Sequence, residues 1–388
     1  MTQIPKGFED IAITMQHAHQ DILTRLRNYR YIIEDYPNFV AAGNPTGIAA
    51  AKAHPMQGIL KYHGLADWDW RTAFLPSISV VNDVAYSLTL VEFDPDLKHD
   101  TLTLNGKPAE LREVERVSQS LNAVRNLACI QSKARVISKN VVKGGKAGKG
   151  LGTSASGSAA LATAALAAAF GADVVGNKRF VTTMARLLAG SGCRSASGGV
   201  SLWLSYPGIA HEDSFALRLD QQGQLDDMRL ITSPIDSHIG LKTEQAHVDA
   251  PHSPWFKTWM LHRRNEVFKV LDAVQQRDWR TVAQFAELDS IQLHAVTMTG
   301  GNDHKLFAWE PENIALFRAC DDLRAEGTPV YFSTDTGPTM VLLTHKDEVA
   351  KVAKRMRTLN ADVIESNIGN GAQLIDVDVA RAELGEGD

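Results

Sequence analysis

Cysteine is scarce. The chain holds three in 388 residues, Cys129, Cys193 and Cys320, odd in number and far apart. Neither a disulfide framework nor a zinc-ligand spacing follows from them, and a reducing, cytoplasmic setting is expected. An excess of charge is lacking too. Lys and Arg number 40 against 45 Asp and Glu, a formal net charge of −5. That balance excludes a chain built as a nucleic-acid carrier, so any basic site must be local. Long hydrophobic runs are absent: the Ala-rich stretch from Ala159 to Phe170 is short and weakly hydrophobic, which fits a closely packed core helix. The opening MTQIPKGFEDIA turns acidic before any apolar segment, so no signal peptide and no membrane partner are expected. What remains, 44% apolar and 22% charged residues, is ordinary globular composition with enough length for a large core.

Against this background the stretch Ser138 to Leu161, SKNVVKGGKAGKGLGTSASGSAAL, stands out. Val141 and Val142 have strand character, and a loop rich in Gly and Lys follows. Small hydroxyl residues then lead into a helix. Gly144, Gly145, Gly148, Gly150 and Gly152 remove side chains, so backbone N–H groups can approach an anion. Thr153 and Ser154 stand where the helix starts, with orphan amides and a positive dipole end. Lys143, Lys146 and Lys149 add mobile positive charge. The segment suits a polyphosphate. No Gly-Lys-Ser/Thr closes the loop, so an ordinary P-loop NTPase is disfavoured.

The rest of the chain reads as α/β. Residues 1–52 form a leader with one amphipathic helix, marked by Ile22, Leu23, Leu26, Tyr29 and Ile33. Its stripe would pack on the body or on a partner subunit. His17 and His19, two apart on a helix, face different sides and make a poor metal pair. A strand ends near Lys61, and two strands lie in LPSISVVNDVAYSLTLVEF. DTLTLNGKPAEL predicts a hairpin turning at Asn105-Gly106. Helices are expected over 111–131 and 178–190, then over 254–277 and 279–294. PENIALFRACDDLRAEG predicts another, ended by Gly327, before a strand–turn–strand–helix run that holds Asp335 in its turn. A boundary between an N-terminal lobe (53–215) and a C-terminal lobe (216–388) is placed in the region 206–230.

Four places carry chemistry: Lys61, the loop at 144–154, Ser191 to Arg194, and Asp335. Each alone has a plain structural explanation, such as a solvated lysine or an Asx-turn. Together, ILKYHG, GLGTSASGSAAL, SGCRSASGG and STDTGPTMVLL resemble, in order and spacing, the motifs of the mevalonate diphosphate decarboxylases. Those motifs read roughly IKYWGK, GLASSAAGFAAL, SGSACRSxxGG and FDAGPNAVL. LDSIQLHAVTMT is similar to a further helical segment of that family. The family belongs to the superfamily of galactokinase, homoserine kinase, mevalonate kinase and phosphomevalonate kinase (GHMP).

The resemblance implies a two-lobed GHMP-kinase fold, with an N-terminal phosphate-loop lobe and a C-terminal ferredoxin-like lobe. It also implies homodimerisation and an ATP-dependent decarboxylation of a phosphorylated mevalonate, with Mg²⁺ accompanying the nucleotide. Asp335, Lys61 and Arg194 become the expected catalytic residues, with Arg194 clamping the substrate carboxylate. Tyr62, Ser191 and Arg116 join Arg194 as substrate contacts. Gly148, Gly150, Leu151, Gly152, Thr153 and Ser154 become nucleotide contacts. Two departures bear on the substrate: position 65 is Leu where the family has a lysine for the terminal phosphate, and Ala189 replaces a serine. These favour conversion of 5-phosphomevalonate to isopentenyl phosphate. A 5-diphosphate substrate, an ATP-independent reaction on mevalonate 3,5-bisphosphate, and a non-catalytic sensor of nucleotide or metabolite stay open.

Overall fold

A computed structural model of the chain describes residues 2–38, 43–144, 151–238, 243–301, 306–359 and 361–385. In chain order the first elements are α1 (Glu9–Asn28), β1 (Ile48–Ala53), β2 (Met56–Leu60), β3 (Leu65–Asp67), β4 (Thr72–Ala73) and β5 (Ser77–Val81). Next come β6 (Ala85–Asp94), β7 (Thr101–Leu104), β8 (Lys107–Pro108), α2 (Leu111–Ala128), β9 (Lys133–Val142) and α3 (Thr153–Phe170). They are followed by α4 (Lys178–Ala185), α5 (Gly192–Ser197), β10 (Val200–Trp203), β11 (Ala216–Arg218), β12 (Met228–Ser233) and α6 (Thr243–Asp249). The chain continues with α7 (Phe256–Gln275), α8 (Trp279–Gly300), α9 (Pro311–Ala325), β13 (Val330–Thr334), β14 (Met340–His345) and α10 (Val349–Arg357). It closes with β15 (Ile364–Ser366), β16 (Gln373–Ile375) and α11 (Val377–Leu384).

The strands form a mixed sheet in the order β16-β1-β6-β9-β7-β8 and two four-stranded sheets, β11-β10-β5-β2 and β13-β14-β12-β15; β3 and β4 pair by themselves. In the mixed sheet only β7 and β9 run parallel. The Ala-rich α3 lies on the first sheet, its Ala159, Ala160, Ala164 and Ala168 buried with Ala51, Val91 and Phe93. Small side chains let helix and sheet backbones approach closely. By length and composition alone α3 could cross a membrane; here most of it is buried inside the protein. A second core ties the halves together. Ile59 and Leu60 of β2, Val200 and Leu202 of β10, Val282 and Ala286 of α8 and Leu230 and Leu343 of the C-terminal sheet share it. Each such buried aliphatic side chain contributes about 1.5–3 kcal/mol. This core brings the end of β2, the end of β13 and one face of α8 to a single place.

Several expectations need correcting. The helix of the leader stops at Asn28, and Arg30 follows with φ 61, so Tyr29 and Ile33 lie beyond it. Its stripe of Met15, Ile22 and Leu26 is buried, and the helix packs on α7. Tyr29 instead donates its hydroxyl to Asp272 at 2.6 Å. A first strand, β1, already begins at Ile48. α4 ends at Ala185, five residues short of the expected 190. The cysteines are free.

Candidate active site

β2 runs into an irregular register with β5 between Gly58 and Leu60, and Lys61 follows immediately. The Lys61 ammonium folds back and donates to the Gly58 carbonyl (2.9 Å), to Ser333 Oγ (3.0 Å) and to the Ala286 carbonyl (3.3 Å). Its backbone N–H donates to Asp289 on α8. Asp289 also accepts from Trp259 Nε1 and Arg263 Nη2, each at 2.9 Å. Gln57 donates to Ser333 at 2.9 Å, which ties β2 to β13. One residue past β13, Asp335 accepts the Gly58 N–H at Oδ1, 3.2 Å away. Gly58 therefore touches both charged groups. A Cβ there would lie 2.6 Å from Lys61 Cγ and 2.8 Å from Asp335 Oδ1.

Arg194, on the short helix α5, is buried, yet among the described residues its Nε and Nη1 have no hydrogen-bond partner. Buried guanidinium nitrogens without hydrogen bonds are costly, and they mark a site whose ligand arrives from outside. Its guanidinium lies 5.2 Å from the centre of the Tyr62 ring. Burial pushes the Asp335 carboxyl up from its ordinary value, while the charges of Lys61 and Arg194 pull it back. Burial pushes the Lys61 ammonium down, opposed by Asp335 and Asp289. The three groups that the sequence singled out therefore share one electrostatic neighbourhood.

Tyr62 forms the adjoining wall. Its ring stacks on His247 (5.1 Å, 14° between planes) and meets Trp203 edge-on (4.8 Å, 84°). Its hydroxyl pairs with Ser191. His247 Nδ1 accepts the Gly64 N–H at 3.1 Å, which places the ring proton on Nε2 and keeps the imidazole neutral. Burial accordingly drops His247 to about 4. Leu65 is buried in β3 opposite Ala73. Arg116 lies exposed on α2, with Nη2 donating to the Leu188 carbonyl at 3.3 Å.

On the nucleotide side, Gly148 and Gly150 lie outside the described residues. Leu151 is buried against Val84 and Ala85. Gly152 takes φ 71 with its absent Cβ 3.2 Å from the Met56 carbonyl, a conformation and an approach that both favour glycine. Thr153 opens α3, Ser154 is exposed on its first turn, and the N-cap is Gly152, which has no side chain to occupy the first amides of the helix. These residues fit a phosphate at the helix N-terminus. Lys143 is not mobile charge as expected, because it is ion-paired to Asp83 at 2.7 Å. Among the described residues no group of three acidic, His or Cys side chains could hold a metal.

Sequence reasoning missed Gly58, Ser333, His247 and Arg71. Gly58 acts through its backbone, which no residue pattern announces, and Ser333 acts through its hydroxyl from the start of the motif that holds Asp335. His247 and Arg71 reach the site from segments outside the recognised motifs.

Residues 53–216 match the diphosphomevalonate decarboxylase-like N-terminal domain. Over 329 residues the chain is 34% identical to the phosphomevalonate decarboxylase of Haloferax volcanii, spanning 84% of this chain and 98% of that protein. The chain belongs to the mevalonate diphosphate decarboxylase family. Within it, the mevalonate diphosphate decarboxylase of Staphylococcus aureus superposes with a TM-score of 0.78 at 27% identity, over 85% of this chain and 98% of that one. An Enterococcus faecalis family member, solved in complex with MVAPP, AMPPCP and magnesium, superposes with a TM-score of 0.77 at 25% identity, over 86% of this chain and all of that one. The fold is thus the α/β GHMP-kinase fold that the motifs implied.

Proposed function

We propose that this chain is a carboxy-lyase of isoprenoid biosynthesis that converts 5-phosphomevalonate to isopentenyl phosphate with consumption of ATP. The observation that carries the reading is the buried Arg194, whose Nε and Nη1 make no hydrogen bond among the described residues, in one neighbourhood with Asp335 and Lys61. A substrate with a carboxylate and a nearby tertiary hydroxyl satisfies both ends of that arrangement. The likeness to the haloarchaeal phosphomevalonate decarboxylase and the burial of Leu65 support the monophosphate over the diphosphate.

The residues divide the work as follows. The Arg194 fork takes the substrate carboxylate on two oxygens and holds its C–C bond in line for cleavage. Asp335 accepts the proton of the 3-hydroxyl, and afterwards its negative charge faces the positive character that develops at that carbon. Lys61, anchored by Gly58, Ala286 and Ser333, keeps Asp335 ionised and offsets negative charge nearby. Gly152, Thr153 and Ser154 would hold the phosphates of ATP with its Mg²⁺, which would supply the phosphoryl group that makes the 3-oxygen a leaving group. As that oxygen departs, the electron pair of the C–COO⁻ bond becomes the new double bond and carbon dioxide is released.

A substrate panel tests the reading. Mevalonate, its 5-phosphate, its 5-diphosphate and its 3,5-bisphosphate are each incubated with and without ATP, and kcat/KM for carbon dioxide release is compared. The 5-phosphate with ATP should give the highest value. Binding of these compounds without turnover of any would instead make the chain a sensor.

A further inference from the structure

Arg71 sits at the end of the turn that joins β3 to β4, with φ 48, a left-handed backbone that non-glycine residues adopt at a cost of about 1–2 kcal/mol. The turn is pinned from both sides. Asp67 Oδ1 accepts the Trp70 N–H at 2.8 Å, and the buried Arg186 donates to the Trp70 carbonyl. Strain held in place this way marks a residue whose side chain must point in one direction.

Arg71 Nε donates to the Leu187 carbonyl at 3.1 Å, and Arg116 donates to the next carbonyl, Leu188, at 3.3 Å. Two guanidinium groups thus hang from adjacent peptide units. Among the described residues neither has an ion-pair partner within 4.0 Å, and Glu244, whose charge is felt at Arg71, is bound by Arg112 at 2.8 Å. Burial and the charge of Arg116 together lower the Arg71 pKa, as expected for like charges held close without a counter-ion. The carbonyls that anchor the pair lie just before Gly190, where a Cβ would come 3.0 Å from the Tyr62 hydroxyl, and the charge of Arg71 is felt at Tyr62 and at His247. Anchoring through Nε leaves both Nη groups of Arg71 to meet a ligand.

We propose that Arg71, presented by the strained β3–β4 turn and paired with Arg116, binds the phosphate at the 5-end of the substrate. The assignment rests on the functional reading above for the identity of that substrate. A phosphate dianion supplies the counter-charge that the two arginines lack, and the planar fork of Arg71 matches two of its oxygens.

Calorimetric titration of wild type, Arg71→Asn and Arg71→Lys with 5-phosphomevalonate and, separately, with ATP tests this. Asn tolerates the left-handed backbone, so Arg71→Asn should fold and melt like wild type. Its affinity for 5-phosphomevalonate should fall about 10- to 100-fold, as for loss of a hydrogen bond to a charged group, with ATP affinity unchanged. Arg71→Lys should recover part of the loss. Unchanged affinity for 5-phosphomevalonate, or an equal loss toward ATP, overturns the assignment. If wild type binds the 5-diphosphate and not the 5-phosphate, the functional reading fails, while Arg71 is judged by the same comparison on the diphosphate. If it binds neither, both fall.

Discussion

Lys61 and Asp335 are held by the two ends of one residue: the Gly58 carbonyl accepts from the Lys61 ammonium at 2.9 Å, and the Gly58 N–H donates to Asp335 Oδ1 at 3.2 Å. The two charged side chains are therefore both tied to backbone atoms of a single residue. That gives the separation of the two charges a rigidity that side-chain contacts alone would not supply.

Filling the space at this residue should disturb both groups at once. Gly58→Val places a branched side chain where a Cβ alone comes within 2.8 Å of both Lys61 and Asp335. We expect kcat to fall about 100-fold, the scale of a 1 Å misplacement, with the KM for ATP little changed. Steady-state kinetics on the purified variant checks it, and near-normal kcat would show that the separation is not critical.

Asp335→Asn keeps the size of the side chain and its bond to Gly58 but removes the proton acceptor. Turnover should drop by about 10²–10⁴-fold while 5-phosphomevalonate still binds, as read by calorimetry. A rate close to wild type would assign the proton to another group.

The pH profile follows from the directions of the two shifts. Burial raises the Asp335 carboxyl, so the ionised form needed for catalysis is lost at a pH above the ordinary carboxylate value of 3.8 as the solution is acidified. The acid limb of kcat/KM should lie correspondingly high. Lys61→Met removes the positive charge that opposes this rise, so the limb should move to still higher pH in that variant. An unmoved limb would separate Lys61 from the ionisation of Asp335.

Arg194 predicts a trade of function against stability. Its Nε and Nη1 are buried without partners, so Arg194→Met removes a desolvated charge and fills much of the same volume. The variant should gain about 0.5–2 kcal/mol in denaturant unfolding and lose substrate binding. Asp289→Asn should instead cost about 3–5 kcal/mol, because the buried Arg263 would keep only its longer contact to Glu266 at 3.6 Å.

The parts of the site that could be read in advance are those whose chemistry is written in short strings of residues. Lys61, Arg194 and Asp335 lie in such strings, and the structure brings all three together. The Asn105-Gly106 hairpin and α3 were legible for the same local reason. β1 was not: IAAAKA has little strand propensity, and its extended form is set by pairing with β6 and β16. Nor was the early end of α4, after which Leu187 and Leu188 turn their carbonyls toward Arg71 and Arg116. Arg71 depends on a single backbone angle in a tryptophan-rich turn, and composition carries no trace of that.

The most direct measurement follows ³¹P resonances in one sample of enzyme, 5-phosphomevalonate, ATP and Mg²⁺ while carbon dioxide is trapped. The account predicts isopentenyl phosphate, ADP, inorganic phosphate and carbon dioxide in equal amounts, and none of them when ATP is withheld. Carbon dioxide released without ATP from mevalonate 3,5-bisphosphate, with the 5-phosphate inert, would contradict it.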